Sequence, residues 1–280
     1  MTPAVEDPFA LIADLRQRGE DFCVVTVVRT QDATSAKAGA KAVVLRDGTI
    51  RGLLGGGCVQ AAIRKTAAAV LAEGRPRLIR VKPQDQATAS VDIDGTELHR
   101  SACPSGGTVD LFVEPLRRAP RLIVCGASPV ALALADLGRR LGYRIAVAAL
   151  ADDQGLFGEA DERVSGFDLS SLAIIADDWI AVATQGKRDR EALAAALASG
   201  ANYVAFVGSR RKAQVLSRQI REQGVLSEDR IARLKAPAGL DIHAIEPAEI
   251  ALSIMAEIIA RRRAAIGMSN REAGAVQALA

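Results

Sequence analysis

Residues 121–131 read Arg121-Leu122-Ile123-Val124-Cys125-Gly126-Ala127-Ser128-Pro129-Val130-Ala131. A short apolar run, a glycine and then Ser128-Pro129 predict a buried strand, a tight turn and a helix that carries Pro129 in its first turn. The same texture continues downstream. Apolar runs at 145–150, 179–183 and 203–207 alternate with helical stretches, notably 190–199 and 210–223. Strands alternating with helices imply βαβ units and a parallel sheet. The spacing Gly126-x-Ser128-x-x-Ala131 stands where a dinucleotide fingerprint would stand. Ser128 replaces its middle glycine, which hinders close approach of a pyrophosphate, and Pro129 removes an amide donor. The acid that would hold a ribose belongs at the end of the next strand, where Ala149 and Leu150 lie, with Asp152 and Asp153 just beyond. Gly126 and Ser128 remain candidate ligand contacts of a domain that is Rossmann-like by topology.

Upstream, Pro115-Leu116-Arg117-Arg118-Ala119-Pro120 has two prolines, two arginines and no period, and predicts a domain boundary. The part before it reads differently. A helix is expected over 8–18, ended by Gly19, with strands at 22–29 and 41–45. Asp47-Gly48 is a hairpin turn signal with a returning strand over 49–54, followed by a helix over 59–73 and strands at 78–81 and 109–114. The polar stretch 84–96 has no pattern. The last helix should start near Pro247, bury Ile250, Ile254 and Ile258, and close at Arg261-Arg262-Arg263. The expected fold class is α/β: an N-terminal mixed α+β domain over 1–116, a Rossmann-like parallel-sheet domain over 117–265, and a flexible tail over 266–280.

Composition narrows the function. With 280 residues, 36 Lys plus Arg and 33 Asp plus Glu, the net charge is +3, too balanced for a dedicated nucleic-acid binder. Hydrophobic residues make up 49% and aromatics only 3%, so the cores are aliphatic and a base-stacking platform is disfavoured. No basic-then-apolar leader opens the chain and no apolar stretch reaches the roughly 20 residues that span a bilayer, so the expected setting is cytoplasmic, without membrane partners. None of the four cysteines forms a CxxC pair, and with His99 and His243 as the two imidazoles a metal site is not expected.

Two loops join cysteine to glycine. Gly55-Gly56-Gly57-Cys58 stands between a strand and a helix. Amides at a helix N-terminus favour anions and lower a thiol's pKa, so Cys58 stands where a thiolate could form. The alternative is a tight turn beside an inert thiol. Ala102-Cys103-Pro104-Ser105-Gly106-Gly107 precedes a strand and lacks that dipole; seen alone it reads as an ordinary glycine-rich connection before it reads as a ligand loop. Brought together, the two loops would make one pocket of amides and sulfur suited to an anionic ligand with a metal or sulfur centre. Ser209-Arg210-Arg211-Lys212 opens a helix and reads either as a phosphate contact or as a solvated face.

The chain resembles the XdhC/CoxI family, accessory proteins of molybdenum hydroxylases. The residues that carry the likeness are Gly55-Gly56-Gly57-Cys58-Val59, Cys103-Pro104-Ser105-Gly106-Gly107 and Glu114-Pro115-Leu116, followed by Gly208-Ser209-Arg210-Arg211-Lys212, Pro237-Ala238-Gly239-Leu240-Asp241-Ile242 and Glu246-Pro247-Ala248-Glu249-Ile250-Ala251. The resemblance implies a protein that carries molybdenum cofactor, as molybdopterin or its dinucleotide form, and is an accessory protein more than an enzyme. It implies a cysteine desulfurase and an apo molybdenum hydroxylase of the xanthine or carbon monoxide dehydrogenase type as partners, and allows a homodimer. On this reading Cys58 and then Cys103 face the reacting centre, and Gly55, Gly56, Gly57, Ser105, Gly106 and Gly107 line the cofactor. The chain departs from the family pattern at Gln60, Ser128-Pro129, Ala149 and Thr184-Gln185-Gly186, mostly in the second domain. Competing readings are an NAD(P)-dependent oxidoreductase using that domain, and a protein-interaction adaptor whose ligand site has decayed.

Overall fold

A computed structural model of the chain describes residues 7–87, 89–102 and 106–278, with side chains described to residue 264. Two compact units partition it, residues 7–118 and 265–278 in one and 119–264 in the other.

The first unit opens with α1 (Pro8–Arg18), whose start is held by Asp7 Oδ1 accepting from the Phe9 amide at 3.0 Å. Then come β1 (Phe22–Gln31), β2 (Lys41–Leu45), the two-residue β3 (Ile50–Arg51), α2 (Gly57–Glu73), β4 (Arg77–Pro83), β5 (Glu97–Ser101) and β6 (Thr108–Leu116). They form a six-stranded sheet in the order β3-β2-β1-β6-β4-β5, antiparallel except for the β4–β5 pair. The period of two along β1 sorts its side chains. Cys23, Val25 and Val27 share a core with Val59, Ile63, Ala67 and Val70 of α2. Phe22 and Val24 face the other way, toward Leu15 of α1. The expected returning strand over 49–54 is only two residues long, and β5 was not expected. Its sequence, Glu97-Leu98-His99-Arg100-Ser101, lacks apolar alternation because it is an edge strand held partly by charge: Glu97 meets Arg77 at 3.0 Å and His99 at 3.0 Å.

The second unit contains β7 (Arg121–Cys125), α3 (Pro129–Arg140), β8 (Arg144–Ala149), β9 (Glu162–Ser165), β10 (Trp179–Val182), α4 (Asp189–Ala198), β11 (Tyr203–Phe206), α5 (Arg210–Glu222), α6 (Glu228–Ala232), β12 (Leu234–Lys235) and, up to residue 264, the long α7 (Pro247–Ala278). All six strands are parallel, ordered β9-β8-β7-β10-β11-β12. Numbered within the unit that is 3-2-1-4-5-6, the doubly wound order whose direction of winding reverses between β7 and β10. One face is covered by α4 and α5 through Leu193, Leu197, Leu216 and Ile220. The other is covered by α3 and α7 through Leu134, Ile254, Met255 and Ile258. Strands buried on both faces explain the near-continuous apolar runs. The last helix does not close at Arg263; it continues to Ala278, so the tail expected over 266–280 is mostly helical. Its Ala-rich composition supports helix without requiring an apolar stripe.

Two cysteines are part of this packing. Cys23 and Cys125 are fully buried, and burial pushes both thiols up to about 12. An unfolded chain ionises them near 9, so their contribution to stability is complete below that pH and is lost as pH rises toward 12. Peptide mapping after iodoacetamide treatment of the native chain at pH 8 should find both protected, and both labelled in denaturant. Labelling in the native chain at the denatured rate would contradict the buried placement.

Candidate functional site

The glycine loop before α2 is folded as expected and begins its helix earlier than predicted. Gly56 is the N-cap, Gly57 the first helical residue and Cys58 the second. No side chain caps this helix. A Cβ added at Gly56 or Gly57 would meet nothing within 4 Å, so the first turn of α2 borders open space. Cys58 is half-buried and reduced. Among the described cysteines it alone is not sealed in a core. The early start has a local cause: Gly56 needs only an extended backbone, φ −74° and ψ 179°, to serve as N-cap, and its carbonyl accepts from the Gln60 amide at 3.1 Å.

Cys103 and Ser105, the other candidates of the second loop, lie outside the described residues. Gly106 and Gly107 are described and lead into β6. A Cβ on Gly107 would stand 2.4 Å from the Ala33 carbonyl oxygen and 3.0 Å from Thr34. A Cβ on Gly55 would stand 3.6 Å from Ala36. Both glycine loops therefore pack on one segment, residues 33–36, between β1 and β2. Ala36 is buried, and its amide donates to Thr34 Oγ1 at 3.2 Å, which fixes the bend. This segment was missed in the sequence: it has neither period nor motif, and its role comes only from contacts across the sheet. Gly107→Ala should push the Ala33 carbonyl aside and cost about 1–3 kcal/mol. A thermal midpoint within a degree of the native chain's would remove this support for the loop pair.

The carboxyl edge of the parallel sheet is the second place a ligand is expected. Gly126, φ +104°, ends β7 so close to β10 that a Cβ would stand 2.6 Å from both the Ala183 carbonyl oxygen and Thr184 Cα. Ser128 caps α3, its Oγ accepting from the Ala131 amide at 3.2 Å, with Pro129 at the first helical position. After β8 the Gln154 amide turns back and donates to the carbonyls of Ala149 at 2.9 Å and Val164 at 2.6 Å. After β10, the buried carboxylate of Asp189 accepts from the Thr184 hydroxyl and, at 2.8 Å, from the Gly186 amide, and pairs with the Lys212 ammonium. Burial would raise this carboxyl, but those partners outweigh it and hold it below the usual range. Lys212 thus has an internal partner, while Arg210 and Arg211 remain exposed. Lys187, from the same loop as Asp189, reaches Asp153 at 3.3 Å.

Two of the remaining family-like residues have internal partners. Gly239 donates its amide to Glu257 at 2.9 Å, beside Tyr203 Oη at 3.0 Å. Glu249 accepts from the amides of Ile245 and Glu246 at 3.0 and 3.2 Å and caps the start of α7. His99 contacts Glu97 and Thr66, and His243 is exposed. Among the described residues no group of three or more His, Cys, Asp or Glu could hold a metal ion, and no helix is long and apolar enough to cross a membrane.

Comparison with known proteins matches residues 15–82 to the XdhC and CoxI family and residues 122–258 to the XdhC Rossmann domain. The chain is 32% identical over 258 residues to the uncharacterized protein YqeB of Escherichia coli, covering 90% of this chain and 45% of that protein. It is 28% identical over 163 residues to a probable xanthine dehydrogenase subunit of Bacillus subtilis, covering 56% and 47%. It is 26% identical over 280 residues to the molybdenum cofactor insertion chaperone PaoD of Escherichia coli, covering 87% and 84%. The chain thus spans about half the length of the first two relatives and most of the third. The two family models match in the order of the two folded units, the glycine and cysteine loop in the first and the doubly wound sheet in the second, and the chain belongs to the XdhC/CoxI family.

Proposed function

We propose that this protein carries molybdenum cofactor as cargo and delivers it to an apo molybdenum hydroxylase, after assisting its terminal sulfuration by a cysteine desulfurase. The observation that carries the reading is the placement of Cys58: half-buried, second in an uncapped helix, behind glycines that leave open space. The donor set fits such a cargo. Free amides at the start of α2 suit the phosphate of an anionic pterin, and a thiol beside them suits a molybdenum or sulfur centre. Gly55, Gly56, Gly57, Gly106 and Gly107 would line the cargo and Cys58 would face its metal end, with Cys103 and Ser105 from the second loop. The family, and a relative named as a cofactor insertion chaperone over most of both lengths, support this reading.

The test is cofactor retention. The full chain is co-expressed with active cofactor biosynthesis, purified without oxygen, and assayed for molybdenum and for the fluorescence of oxidised pterin. Near-stoichiometric pterin is expected. Absence of both pterin and molybdenum from a folded preparation would end the cargo reading.

A further inference from the structure

The strand order of the second unit is that of dinucleotide-binding sheets, which would seat a nicotinamide dinucleotide where the winding reverses, between β7 and β10. The residues there do not fit one. A pyrophosphate needs free amides at the first βα turn. Ser128 Oγ already takes the Ala131 amide, and Pro129 has none to give. A ribose needs an acid at the end of β8. That strand ends in Ala149, and the Gln154 side chain, bonded to the carbonyls of Ala149 and Val164, lies over the edge it shares with β9. Asp153, the nearest acid with a side-chain partner, is turned to Lys187.

More telling is what occupies the end of β10. The Asp189 carboxylate, on a residue only 6% exposed, takes one hydroxyl, one backbone amide and one lysine ammonium. These are the donor kinds that hold phosphate oxygens in phosphate-binding loops. Thr184, Gly186 and Lys212 come from the end of β10, the following loop and α5, and converge on one anion that the chain itself supplies. The Lys187–Asp153 pair joins the loop after β10 to the segment after β8, and β7 lies between those strands in the sheet. Lys187 is 65% exposed, so that pair holds weakly.

We infer that the carboxyl edge of this sheet is a filled anion seat: Asp189 takes the place of a ligand phosphate, and the unit is closed to nicotinamide dinucleotides. The inference concerns the second unit and is independent of the cargo reading, whose residues lie in the first.

The experiment has two arms, both on the full chain. NADH and NADPH are titrated by fluorescence to about 1 mM, enough to fill a site of micromolar affinity. No saturable binding is expected, and saturable binding of either overturns the inference. In the second arm Asp189→Ala empties the seat and leaves Thr184, Gly186 and Lys212 as donors. Inorganic phosphate, compared with chloride at matched ionic strength, should raise the thermal midpoint of D189A by roughly 3 °C or more and leave the native chain unchanged. Adding Lys212→Ala should abolish that gain. A folded D189A that responds to phosphate no differently from the native chain overturns the seat. Should D189A fail to fold, D189S supplies the same comparison, with the same two outcomes.

Discussion

Cys58→Ala should lower the pterin and molybdenum that co-purify with the chain at least tenfold, while its thermal midpoint stays within about two degrees of the native value. The two halves of that expectation have different causes. A half-buried thiol at the second position of α2 belongs to no core, and Ala at a helical position is a better helix former than Cys, so little stability is lost. Among the described cysteines no other thiol can take over a contact to a molybdenum or sulfur centre, because Cys23 is sealed beneath α2 with its thiol donating to the Ala67 carbonyl at 3.6 Å and Cys125 is buried in the second unit. Tenfold corresponds to about 1.4 kcal/mol, the scale of one strong contact. Cys58→Ser separates sulfur chemistry from packing, since it keeps size and hydrogen-bonding capacity without the soft donor. Full retention of pterin by both variants would remove Cys58 from the cargo site and leave the glycine loop as a turn. Retention of pterin with loss of client activation would instead place Cys58 in sulfuration.

The parallel unit was more legible in the sequence than the mixed one, for a physical reason. Interior strands such as Arg121–Cys125 and Tyr203–Phe206 are buried on both faces, so nearly every position must be apolar, and the run announces itself. Edge strands carry no such demand. Glu97–Ser101, Glu162–Ser165 and Leu234–Lys235 lie at or beside sheet edges, with charged residues turned to solvent or to ion pairs, and their composition resembles that of loops. The candidate site divides along the same line. Glycines followed by a cysteine are visible as a string. The segment 33–36 that both glycine loops touch, and the Thr184–Asp189–Lys212 cluster, exist only once distant strands are paired. Asp189 follows Thr184-Gln185-Gly186 in the sequence, but nothing short of the sheet order shows which lysine it meets.

The largest loss of stability is expected at the opposite, amino edge of that sheet. Asp178 is 1% exposed and precedes β10; its Oδ2 meets Arg121 of β7 at 2.5 Å and accepts from the Ile175 amide at 2.9 Å. Arg121 is itself buried and also reaches Glu162 at 3.2 Å and the Ala173 carbonyl at 3.2 Å. The pair ties the starts of the two central strands. Desolvating both charges offsets much of their attraction, so the pair's net contribution is small compared with the penalty for removing one member. Asp178→Ala strands a guanidinium whose strongest partner is gone and whose Nε has no partner among the described residues. A cost of about 3–5 kcal/mol follows. In a double-mutant cycle, Arg121→Met added to Asp178→Ala should cost little more than Asp178→Ala alone, because it removes the stranded charge that the first change created. Urea unfolding of the native chain, both single variants and the double variant decides the point. Additive losses would mean that each residue acts through separate contacts, and that the two central strands are held by their aliphatic faces without help from the ion pair.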